Sequence, residues 1–62
     1  MIKSLYEVVI IVATNEDKEY YAVKKQNTDD EKLLVKSAIK RSYSEGHYKI
    51  ESMKLLGDVF IS

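Results

Sequence analysis

The chain has 62 residues, and its ten basic side chains balance ten acidic ones, so the formal net charge is zero. Apolar residues make up 45% of the sequence, which together with the balanced charge excludes a disordered tail. Cysteine is absent, which excludes a disulfide scaffold and a thiolate metal site. A chain this short has a small core, so we expect one domain over residues 1–62 and no enclosed substrate cleft.

The longest apolar run, Val8–Ala13, is far too short to span a bilayer as a helix, which takes about 20 residues. It also lacks the charged-then-apolar layout of a signal peptide. We therefore expect a cytoplasmic protein that makes no membrane contact.

The first half of the chain predicts a β-hairpin. Leu5–Ala13 is rich in β-branched residues and mostly apolar on both faces, which is typical of a central strand covered on both sides. The polar residues Asn15–Asp17 predict a turn into a second strand, Glu19–Lys25. Because this second strand is half polar, one of its faces is expected to meet solvent.

A helix is predicted next. Thr28–Glu31 has the pattern of a capping box in which Thr28 is the N-cap residue. The helix is expected to run to about Ser44 or Glu45, with Gly46 as the left-handed residue that ends it. One stripe of this helix, at helical spacing, should cover the sheet: Leu34, Val35, Ala38, Ile39 and Ser42.

The last part of the chain predicts a third strand, Tyr48–Leu56, with a bulge near Ser52 that changes its alternation. Val59–Ile61 either continues this strand or forms a short fourth one after a turn at Gly57. The expected fold class is α+β, with one helix packed on one face of an antiparallel sheet of three to four strands. The element order is β-β-α-β.

Catalysis finds little support. His47 is the sole histidine, and spacing gives it no partner for acid–base chemistry. The acidic residues Asp29–Glu31 are explained by helix capping, and there is no phosphate-binding loop. We predict a protein that is not an enzyme, with no catalytic residue, metal ligand or cofactor.

A homodimer is expected, because one helix covers one face of the sheet and the other face would expose apolar residues. Either the sheets stack or their edge strands join. The expected interface residues are Leu5, Val9, Ile11 and one of Tyr20 and Tyr21.

A second binding surface is expected on the helix. Leu33 lies outside the apolar stripe with Tyr43 flanking it, and three neighbouring residues are basic: Lys36, Lys40 and Arg41. These cations suit a protein partner or a phosphate backbone. The alternative function is therefore a small nucleic-acid-binding module that uses the basic helix face.

Tyr6–Val8, the apolar strand after it, the acidic turn Asn15–Lys18 and the pair Tyr20–Tyr21 resemble the first hairpin of very small phage-encoded inhibitors of uracil-DNA glycosylase. That resemblance implies a β-β-α-β dimer that blocks a host protein. The family inhibits through an acidic and aromatic helix region, whereas this helix is basic, so no inhibitory residue transfers. We expect a phage or mobile-element inhibitor of anti-defence or host-takeover type; an accessory structural protein is a third hypothesis.

Overall fold

Over the residues that this computed structural model describes, 1–43 and 47–60, the chain forms one three-stranded antiparallel sheet and one helix. The elements are β1 (Ile2–Val12), β2 (Asn15–Lys24), α1 (Thr28–Ser42) and β3 (Lys49–Phe60). The sheet order is β2-β1-β3, so the apolar first strand lies in the centre, as its composition predicts. The expected α+β class and the β-β-α-β order are confirmed.

The β1–β2 hairpin is regular and tight. Its pairs run without interruption from Lys3 opposite Lys24 to Val12 opposite Asn15. The chain therefore reverses at residues 13–14, where Ala13 has φ 56°, a left-handed conformation that is unfavourable for a residue with a Cβ. The turn predicted at residues 15–17 is wrong, because continued pairing with β1 holds these polar residues in the strand.

The core lies between α1 and the helix-facing side of β1, where alternate residues point toward the helix. Its fully or almost fully buried apolar members come from three elements: Tyr6, Val8, Ile10, Val23, Val35 and Ile39. Val35 and Ile39 confirm the centre of the predicted helix stripe. Leu34 was placed in that stripe wrongly, since 40% of it is exposed. The buried line runs through Glu31, Val35 and Ile39 at four-residue spacing, which leaves Leu34 on the flank.

β3 is one long strand with two irregularities against β1. The register shifts once between the pairs of Leu5 and Tyr6 and again between those of Val9 and Ile10. The second shift confirms the bulge predicted near Ser52. The strand continues through Gly57, at φ 147°, to Phe60, which confirms continuation of the third strand over the alternative of a separate fourth strand.

The helix begins one residue earlier than expected. Asn27 is the N-cap: its side-chain oxygen accepts from the Asp30 backbone N–H at 2.9 Å, and its Nδ2 donates to Asp30 Oδ2 at 2.7 Å. Thr28 is therefore the first helical residue, and the predicted capping role of Thr28 and Glu31 is wrong. Because Asn27 accepts from a backbone N–H at the N-terminus of the helix, the Glu31 side chain does not cap the helix and points into the core instead.

The helix also ends earlier than expected, at Ser42. Tyr43 is its C-cap, and the Tyr43 backbone N–H donates to the Ile39 carbonyl at 2.9 Å. The expected terminating residue, Gly46, lies outside the described residues.

Asn27→Ala should lower the free energy of unfolding by about 0.5–2 kcal/mol, because it removes the acceptor for a helix-end N–H. Thr28→Ala is the matched control and should change it by less than about 0.5 kcal/mol. Urea unfolding followed by circular dichroism measures both. If Thr28→Ala lowers the free energy of unfolding and Asn27→Ala does not, Thr28 is the N-cap residue.

Candidate functional site

The helix covers β1 and β2 but leaves β3 uncovered on the same side of the sheet. Ser4, Tyr6, Val8 and Ile10 of β1 are buried there. On β3, Met53 is half-buried, Leu55 is 48% exposed and Phe60 is 81% exposed. A helix is about 10 Å wide and strands lie about 4.8 Å apart, so one helix covers about two strands.

Leu34 lies on a flank of α1, about 100° around the helix from the buried Val35, and is 40% exposed. The opposite flank carries Tyr43, whose hydroxyl donates to Glu19 Oε2 on β2. We define the β3 strip as the exposed apolar residues on this side of the molecule: Ile2, Leu34, Leu55 and Phe60.

A surface depression of about 780 Å³ lies on the outward side of the helix, lined by Leu34, Ser37, Lys40 and Arg41. Two of the predicted partner-binding residues, Lys40 and Arg41, therefore lie beside the apolar Leu34. Leu33 and Lys36 are exposed and do not line the depression. At about 100° per residue, Lys40 shares the outer face of the helix with Leu33 and Lys36, whereas Arg41 lies on the flank with Leu34.

Tyr43 does not extend the Leu33 patch. Its ring packs against Tyr48 with centroids 5.5 Å apart, and its hydroxyl bonds to Glu19, which also accepts from the Tyr21 hydroxyl at 3.1 Å. The hydrogen bond to Glu19, together with burial, raises the pKa of Tyr43 to about 12. Burial, with Glu19 acting in the same direction, raises the pKa of Tyr21. This cluster fastens the end of the helix to β2.

The other side of the sheet, which we call the open face, carries no helix in the described part of the chain. Leu5, Val9 and Ile11 of β1 lie on it and are half-buried. Tyr20 shares this face and is 57% exposed. Tyr21 points to the helix side and packs against the core, so of the two tyrosines named for a dimer interface, only Tyr20 lies with Leu5, Val9 and Ile11.

The pairing register gives the cross-strand neighbours on the open face. Val9 lies between Lys18 and Ser52, and Ile11 lies between Glu16 and Lys49. Glu7 lies between Tyr20 and Lys54, Leu5 between Ala22 and Gly57, and Lys3 between Lys24 and Val59. A half-buried row on β1, apolar except for Glu7 and the terminal Lys3, is therefore bordered by lysines on both edge strands.

Glu31 is the main buried polar group and joins the helix to β1. Its carboxylate is 3% exposed and accepts three hydrogen bonds: from Ser4 Oγ at 2.5 Å, from the Tyr6 hydroxyl at 2.8 Å and from the Gln26 backbone N–H at 2.9 Å. Sequence reasoning missed this role. The available signal was two polar residues, Ser4 and Tyr6, on the otherwise apolar face of β1.

These hydrogen bonds stabilise the ionised form of Glu31. The Ser4 bond and then the Gln26 bond lower the pKa of Glu31 against the opposing effect of burial, and Tyr6 and the charge of Lys25 add to the lowering. Burial, together with the hydrogen bond to Glu31, raises the pKa of Tyr6 to about 12. Both oxygens of the carboxylate accept hydrogen bonds from other parts of the chain, so Glu31 holds α1 against β1. We call this set of hydrogen bonds the Glu31 clamp.

Comparison with protein-family models, curated proteins and solved structures gives no match, so the resemblance to glycosylase inhibitors stays a prediction. In the described ranges, no group of acidic or histidine side chains has an arrangement that could hold a metal ion. The described helix is also neither long nor apolar enough to cross a bilayer.

Proposed function

We propose that this chain is a small protein-binding module that acts as a homodimer and occupies the surface of a host protein in the host cytoplasm, as phage-encoded inhibitors do. The observation that carries the proposal is the β3 strip, whose four side chains are 40–81% exposed. Single exposed apolar residues are ordinary. The Lys25–Asp58 ion pair lies between Leu55 and Phe60 on this side of the sheet. Exposed apolar residues grouped on one uncovered side, beside a depression with two cations, are typical of an interaction site.

A second copy is the occupant that we propose for the β3 strip. If two copies pack strip against strip across a two-fold axis, each copy covers the exposed apolar residues of the other. The two bulges in β3 distort its edge, which disfavours a continuous sheet through β3. We therefore place the contact on the side chains of the strip. The apolar residues of the open face are already half-buried, and stacking two such faces would bring their lysines together.

Light scattering at micromolar concentration should give about twice the chain mass of 7.2 kDa. Leu55→Lys should convert the dimer to a folded monomer, because it places an unpaired charge in the interface. Val9→Lys is the matched variant on the open face and should leave the dimer intact. A dimer split by Val9→Lys alone would move the interface to Leu5, Val9 and Ile11, and a wild-type monomer would refute dimerisation.

The host partner is tested by affinity capture from bacterial lysate with three baits: wild type, Leu55→Lys and Leu33→Ser. We expect one stoichiometric protein on the wild type and on Leu33→Ser, and its loss on Leu55→Lys, because the partner is proposed to bind the dimer that the β3 strip forms. Loss on Leu33→Ser alone would place the site on the outer helix face. Capture of no stoichiometric partner from any lysate would contradict the inhibitor function.

A further inference from the structure

The open face concentrates positive charge in a chain that is neutral overall. Among the paired residues, two acidic ones, Glu7 and Glu16, lie on this face with five basic ones: Lys3, Lys18, Lys24, Lys49 and Lys54. Glu51, the unpaired residue of the β3 bulge, lies next to Ser52 of this face. Half of the ten basic residues of the chain are therefore on one face of the sheet. This asymmetry comes from the pairing register and does not show in the net charge.

These ammonium groups are available to a ligand. Four of the five lysines are exposed, and Lys3 is half-buried. In the ranges that the structure describes, the ion pair formed is between Lys25 and Asp58, on the other side of the sheet. No described carboxylate lies within 4.0 Å of the lysine nitrogens on the open face. Glu7, opposite Lys54, and Glu16, two residues from Lys18, reduce the positive charge of the face without forming an ion pair within the described ranges.

The spacing of the lysines suits an extended polyanion. Residues rise by about 3.4 Å along a strand, so Lys18 and Lys24 stand about 20 Å apart on β2. Lys49 and Lys54 lie on β3, and the two edge strands are about 10 Å apart. A single nucleic-acid strand lying along β1 has lysines of both edges within reach of its phosphates.

Tyr20 supplies a surface on which a base can stack. Its ring is 57% exposed and lies on the edge strand β2 between Lys18 and Lys24, opposite Glu7 of β1 and diagonal to Leu5 and Val9. Stacking of bases on aromatic rings is strong and tolerant of sequence. The described open face carries no Arg, Asn or Gln, the side chains that most often read base edges.

We infer that the open face binds single-stranded nucleic acid without sequence preference, with phosphates on the lysines and a base on Tyr20. An acidic protein could pair with the lysines but has no base to stack on Tyr20. A second copy would place its own lysines against these lysines, which is unfavourable. Glu7 and Glu16 weaken the field, so the binding is modest and steeply dependent on salt. The β3 strip lies on the other side of the sheet, so this inference stands whether or not the protein dimerises through it.

Fluorescence anisotropy with a labelled oligodeoxythymidine of about 15 nucleotides tests the charge. If about four phosphates are neutralised, affinity should fall about 50-fold between 50 and 200 mM salt. The double variant Lys18→Glu/Lys54→Glu should abolish binding. The matched control on the helix, Lys36→Glu/Lys40→Glu, should retain it, and both should keep the wild-type circular dichroism spectrum.

The same assay tests stacking. Tyr20→Ala should weaken binding about 10-fold, whereas Tyr20→Phe, which keeps the ring, should bind as the wild type does. Absence of binding at 50 mM salt, or loss of binding in the helix variant alone, would overturn the inference. So would competition by polyglutamate as effective as competition by unlabelled oligonucleotide, since that would show recognition of charge without bases.

Discussion

Ile39→Ala should lower the free energy of unfolding by about 2–5 kcal/mol. Ile39 is fully buried and packs in the core cluster with Tyr6, Val8 and Ile10, so truncation leaves a cavity between helix and sheet. A domain of this size has a stability of only a few kcal/mol, so the variant is expected to be largely unfolded at 37 °C. Urea and thermal unfolding followed by circular dichroism measure the loss.

Two further variants control this result. Leu33→Ala, on the same helix at a residue 60% exposed, should change stability by less than about 0.5 kcal/mol. Ile39→Val removes one methylene and should cost about 0.5–1.5 kcal/mol, a value that can be measured even if Ile39→Ala does not fold. Unchanged stability in both Ile39 variants would refute the assigned helix face.

Glu31→Gln should produce the other large loss. The carboxylate accepts hydrogen bonds from three donors. In the glutamine variant an amide nitrogen, itself a donor, replaces one oxygen, so at least one of these hydrogen bonds is lost in a buried site. We expect a lower urea midpoint than for any variant of an exposed helix residue. Asp29→Asn is the matched control, since it makes the same charge change in the same turn at an exposed site. Equal midpoints for the two variants would contradict the clamp.

The pH dependence of stability provides an independent measure of this clamp. Because the pKa of Glu31 is lowered in the folded protein, the unfolded state binds the proton first as the pH falls. The contribution of Glu31 is therefore complete above its ordinary value of 4.5 and is lost as the pH falls through the folded pKa. The gap in urea midpoint between wild type and Glu31→Gln should narrow from neutral pH to about pH 3. A gap that stays constant would show that the ionised form is not the one stabilised.

The fold class, the element order and the buried centres of β1 and α1 follow from the amino-acid pattern alone. Side-chain periodicity is a local property, so alternation along β1 placed Val8 and Ile10 on one face and four-residue spacing placed Val35 and Ile39 on another. Local pattern did not decide between Asn27 and Thr28 as the N-cap, because both side chains can cap a helix. Tertiary contact decided it, since Glu31 bonds to Ser4 and Tyr6, 27 and 25 residues away.

Only the tertiary structure decided which surfaces remain available for binding. The position of the helix over β1 and β2 depends on the contacts of Glu31 with β1 and of Tyr43 with Glu19, none of which has a sequence spacing to reveal it. That position leaves Leu34, Leu55 and Phe60 exposed, although the pattern alone had assigned Leu34 to the core. Likewise, the cross-strand register places five lysines on one face, because residues far apart in the chain become neighbours only when the strands pair.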